Sequence, residues 1–100
     1  MADGWQIIED HNYFVSLRMI NEDVSSLDTA IALVDYALSR NPRGFTAVLQ
    51  DEGIYIAKTK FIITPEEFIP ALRLWFRVID TAREVHKLWI ELCPADEMSF

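Results

Sequence analysis

The sequence predicts an α+β domain, with two N-terminal helices packed on one face of an antiparallel sheet in the order strand-helix-helix-strand-strand-strand. Three observations predict it. Residues 24–40 carry a helical stripe. Residues 54–63 alternate with period two. Residues 71–93, ALRLWFRVIDTAREVHKLWIELC, form two alternating apolar runs around the polar break Asp80-Thr81-Ala82-Arg83. Alternation in β-branched and aromatic residues on both sides of a turn signals an antiparallel hairpin.

That hairpin is expected at the centre of the sheet. A two- or four-residue loop would set Phe76 opposite Lys87 and put charge on the apolar face. A three-residue loop, Asp80 to Ala82, with a bulge, sets Leu72 against Ile90, Leu74 against Leu88 and Phe76 against His86. Because a slip of one residue swaps whole faces, the apolar set favours the odd loop. Arg73, Trp75, Arg77, Lys87 and Trp89 then share the other face.

The remaining elements follow in order. Trp5 to Ile8 reads as a short edge strand. From His11 to Ile20, Phe14, Leu17 and Ile20 recur every three residues, with Tyr13 four before Leu17, which suits a short helix, although VSLRMI also fits a strand. In residues 24–40, Leu27, Ala30, Ile31, Val34 and Leu38 form the apolar stripe, and Asp28, Asp35 and Ser39 lie away from it. Glu22 and Asp23 suit its N-terminus, with Asp23 as N-cap, and Asn41-Pro42 stops it. Phe45 to Gln50 is a short apolar run before the turn Asp51-Glu52-Gly53. Ile54 to Ile63 is a strand, with Ile54, Ile56, Lys58 and Lys60 on one side. Thr64-Pro65-Glu66-Glu67 has the form of a capping box, limited to one turn by Pro70. Pro94 ends the last strand, and a short acidic tail follows.

One hundred residues make one domain, residues 1–100, large enough for a core without metal or disulfide staples. A net charge of −7 and an isoelectric point near 4.6 argue against a broad nucleic-acid surface but allow a local basic face. Cys93 is the sole cysteine, so no internal disulfide forms, which fits a reducing compartment. MADGWQIIED lacks the basic and apolar regions of a signal peptide, and no apolar run could span a bilayer. The expectation is a cytoplasmic protein without a membrane partner.

The helix ending Leu38-Ser39-Arg40-Asn41-Pro42, the strand Gly53-Ile54-Tyr55, the run from Leu72 to Asp80 and the run from Val85 to Ile90 together resemble the RelE/ParE superfamily of bacterial type II toxin–antitoxin toxins. The resemblance covers roughly residues 5–93. It implies the α+β fold above and a cognate antitoxin as partner. It also implies one of three activities: metal-independent messenger-RNA cleavage on the ribosome, as in RelE-like members, inhibition of DNA gyrase, as in ParE-like members, or binding alone, as in non-toxic relatives. A homodimer is a further option. For the cleaving members the resemblance carries a basic site onto Lys58, Lys60 and Arg73 or Arg77. The basic and aromatic pair that such members carry near the C-terminus has no counterpart in IELCPADEMSF, so the acid–base residues stay unassigned.

Read from the residues themselves, Arg73, Arg77 and Lys87 beside Trp75 and Trp89 form a cationic and aromatic surface. It could steady a phosphate and stack a base, or be covered by a partner. Trp75, Trp89 and Lys87 are the expected partner-binding residues. His86 is expected inside as a hydrogen-bonded core residue rather than a general base. Cys93 and Tyr55 are expected to pack. No cofactor or metal site is expected, since no His or Cys cluster has ligand spacing.

Overall fold

A computed structural model describes residues 4–20, 24–59, 62–63, 65 and 68–93. The chain runs β1 (Gln6–Glu9), α1 (His11–Arg18), α2 (Val24–Arg40), β2 (Thr46–Leu49), β3 (Ile54–Lys58), β4 (Ile62–Ile63), β5 (Phe68–Ile69), β6 (Leu72–Ile79) and β7 (Glu84–Leu92). Five strands form one sheet in the order β1-β7-β6-β3-β2, and β4 and β5 pair separately. The α+β architecture is as expected. The sheet is mixed rather than antiparallel, because β1 lies parallel to β7 while its other pairs are antiparallel.

The apolar stripe of α2 falls where the spacing puts it. Leu27, Ala30, Val34 and Leu38 are buried with Leu72, Leu74, Phe76, Val78, Val85 and Ile90 in one core. The helix ends at Arg40, and Pro42 opens a single 3-10 turn. In α1 the buried residues are Tyr13 and Ser16, whereas Phe14 is 43% exposed. Leu17 and Ile20 pack against the core as expected, with Tyr13 rather than Phe14 at the head of the stripe. What seats this face is polar: Ser16 Oγ accepts the Ile90 N–H at 2.9 Å, and the Tyr13 hydroxyl meets Lys87.

The expected strand from Ile54 to Ile63 ends at Lys58. There Thr59 donates its N–H to Leu72 O and accepts the Leu72 N–H on Oγ1, closing the ladder. The short run after Phe45 is a fourth late strand, β2, at the sheet edge. Gly53 (φ 70°) caps the turn between β2 and β3, and its N–H and carbonyl serve Gln50 O and the Val78 N–H.

The hairpin register departs from expectation. Its loop has four residues, Asp80–Arg83, with Arg83 at φ 51°. Phe76 faces Lys87 and Arg77 faces His86. A bulge then shifts the pairing, so that Trp75 faces Trp89, Leu74 faces Ile90 and Leu72 faces Leu92. Leu88 is the extra residue. Lys87 thus points into the core and His86 out of it, the reverse of both expectations. The apolar-face argument failed because the buried charge has partners, described below.

Lys60, the expected helix start at Glu22–Asp23, the expected cap at Thr64, Glu66 and Glu67 and the tail after Cys93 lie outside the described residues. Among the described residues no helix is long and apolar enough to cross a membrane.

Candidate functional site

β6 lies between β3 and β7, and its odd-numbered residues leave the core face. Register sets three rows across these strands: Lys58, Arg73 and Glu91; Ile56, Trp75 and Trp89; Ile54, Arg77 and His86. Opposed residues in a ladder share a face, so these nine side chains form one surface on the side of the sheet away from the core. Of the residues singled out in the sequence, Lys58, Arg73, Arg77, Trp75 and Trp89 meet there. Lys87 does not, and His86 takes its place.

The tryptophans are the centre of this surface. Trp75 and Trp89 are directly opposed and half-buried, flanked by the half-buried Ile56 and Ile54. The Arg73 guanidinium lies 5.3 Å from the Trp75 ring centroid, a cation–π contact. Trp89 Nε1 donates to Glu91 Oε1 at 3.1 Å.

Arg73, Arg77 and His86 have acidic partners there. Arg73 pairs with Glu91 across the strands. Arg77 reaches Glu52 at 3.9 Å, with both side chains substantially exposed. His86 Nδ1 lies 3.3 Å from Asp10 Oδ1 and Nε2 lies 3.0 Å from Glu84 Oε1. The hydrogen bond to Glu84, seconded by Asp10, raises the His86 pKa against the opposing pull of partial burial. These carboxylates were not foreseen. Glu91 alternates with the core residues of β7 and was legible as a face-mate of Trp89, whereas Glu84 joins that face only through the bulge at Leu88 and Asp10 only through the parallel pairing of β1.

On the other face sits a second polar cluster. Lys87 is fully buried, with Nζ 2.9 Å from Asp35 Oδ1, 3.0 Å from Glu9 Oε2 and 3.1 Å from the Tyr13 hydroxyl. Burial alone would lower the lysine pKa, but the Asp35 hydrogen bond and the surrounding negative charge outweigh it and hold the pKa above its ordinary value. Burial raises that of Tyr13, against the pull of Lys87. Asp35 stands one turn from both Ile31 and Leu38, at the margin of the α2 stripe, and that position was the available sign of an inward carboxylate. The cluster joins β1, α1, α2 and β7.

Among the described residues no group of three or more His, Cys, Asp or Glu side chains is placed to hold a metal ion. Cys93 is buried with a free thiol, and its N–H donates to Ala71 O. Tyr55 is buried and stacks on Phe76.

No protein-family model matches the chain, and no curated protein matches it significantly. Among solved structures, the chain is similar to one in the toxin–antitoxin complex RelBE2 from Mycobacterium tuberculosis. The TM-score is 0.61 at 17% identity, over 90% of this chain and 92% of that one. At that identity the likeness shows a shared fold, the one that the RelE/ParE resemblance implied.

Proposed function

We propose that the chain is the toxin-like member of a toxin–antitoxin pair and that a cognate antitoxin covers its open sheet face. The observation that carries this reading is the fold likeness, which extends over nearly the whole of both chains. The open face supports it: a tryptophan pair with apolar neighbours, rimmed by charge, is the composition of a binding anchor rather than of a fully solvated surface. Co-expression with the product of the adjacent reading frame tests it. The expected result is a complex that survives size-exclusion chromatography and is weakened by Trp89→Ala. A chain that elutes unchanged beside its neighbour's product overturns the reading.

A second reading, metal-independent RNA cleavage, rests on the row that sets Lys58 beside Arg73, with Arg77 one row further along. Cations so placed could hold a phosphate. A substrate would have to compete with Glu91 and Glu52 for the two guanidinium groups. Induced expression decides it. Growth arrest accompanied by RNA cleavage, and abolished by Arg73→Ala or Arg77→Ala, supports cleavage, while arrest that persists in both variants removes these residues from the chemistry. Arrest with loss of DNA supercoiling and no RNA cleavage would point to gyrase instead.

A further inference from the structure

We propose that His86 is a proton-operated clamp on the Asp10 side chain, which it holds away from the N-cap of α1 when the imidazole is doubly protonated and releases to that cap when it is not.

The geometry sets the protonation state. Each ring nitrogen lies within hydrogen-bonding distance of a different carboxylate, Asp10 on Nδ1 and Glu84 on Nε2. An ionised carboxylate only accepts, and a neutral imidazole has one N–H. Both contacts are hydrogen bonds only when the ring is an imidazolium. Loss of a proton turns a ring lone pair toward one of the two carboxylates.

Asp10 has a second place to go. It is the N-cap residue of α1, with extended backbone (φ −74°, ψ 161°), yet its side chain makes no capping hydrogen bond. Aspartate at this position ordinarily accepts an N–H from the first turn of the helix. Here the carboxylate is held by His86 instead. The backbone is already fixed on both sides, by Asp10 N–H to Lys87 O and by Tyr13 N–H to Asp10 O. Release therefore needs only a side-chain rotation, with the cap as the alternative partner.

The groups facing His86 come from three elements. β1 sets Ile8 opposite it, followed by Asp10. β7 contributes Glu84, and Lys87 turns to the far face with Glu9. β6 sets Arg77 opposite, itself near Glu52. Two carboxylates in direct contact outweigh one guanidinium that has an acidic neighbour of its own, consistent with the raised pKa. A group whose folded-state pKa is raised contributes its stabilisation fully below the unfolded value, about 6.5 for histidine, and loses it as pH rises through the folded value. The clamp is therefore closed in acid and open in base. With both ring nitrogens occupied, neither is left for substrate, which separates this role from general acid–base catalysis. The clamp does not depend on the toxin-like reading.

Nuclear magnetic resonance tests it in a His11→Gln background, where His86 is the sole imidazole of a chain with two histidines. The expected midpoint lies above about 6.5, and Asn12 and Tyr13 amide signals move with it. Asp10→Asn lowers the midpoint and uncouples those amides, and Glu84→Gln lowers it as well. In parallel, His86→Gln costs more thermal stability at about pH 5.5 than at about pH 8.5. A midpoint at or below about 6.5, or one that neither carboxylate variant moves, overturns the clamp. So do α1 amides indifferent to the titration.

Discussion

Lys87 Nζ meets Asp35 Oδ1 at 2.9 Å beneath the sheet, joining the last strand to the long helix from inside the core. Lys87 is fully buried, so Lys87→Ala empties its side-chain volume as well as removing the pair. A loss of roughly 2–5 kcal/mol by urea denaturation is expected, most of it from the cavity. Lys87→Met should lose less than half as much, because methionine refills the volume and the Asp35 and Glu9 side chains, 32% and 39% exposed, can rehydrate.

The tryptophan pair gives the opposite pattern. Trp75 and Trp89 stand on the face away from the core, so Trp75→Ala and Trp89→Ala should leave the chain folded by circular dichroism. If the proposed antitoxin covers this face, each should weaken its binding by about 2 kcal/mol, roughly thirtyfold, by calorimetry.

Arg73 and Glu91 pair across β6 and β7 with both side chains partly solvated. Glu91→Gln should therefore change stability by less than about 1 kcal/mol. It should raise affinity for phosphate-bearing ligands if the cationic row binds them, a gain measurable by titration with a short RNA.

Gly53 adopts φ 70°, and a Cβ there would stand 2.8 Å from Val78 O. Gly53→Ala meets both the left-handed backbone penalty and a clash with a ladder carbonyl. A loss of about 2 kcal/mol, read as a lower urea midpoint, is expected, with local rearrangement of the turn into β3.

Much of the fold was legible because repeating patterns dominate it. The stripe of α2, the proline stop after Asn41 and the alternation of Leu72, Leu74, Phe76 and Val78 each report one face of one element. The face shared by Arg73, Trp75, Arg77 and Trp89 was legible for the same reason. What could not be read was pairing between distant segments. The inward turn of Lys87 depends on Asp35, Glu9 and Tyr13, three residues from three other elements. The outward position of His86 follows from that, and β1 reveals its parallel pairing with β7 only in three dimensions. The rule that charge avoids the core fails where enough partners converge, and no local pattern announces that convergence.

The extra residue at Leu88 carries a lesson for comparison with kin. A related chain whose final strand runs straight would be one amino acid shorter between turn and terminus. Aligned without a gap, its core-lining positions would stand against this chain's outer ones. A deletion at Leu88 removes the conflict physically: Lys87 stays opposite Phe76, Trp89 opposite Trp75 and Ile90 opposite Leu74 in an unbroken ladder, whereas straightening the strand with Leu88 kept would force either the ammonium from its carboxylates or an indole into the interior.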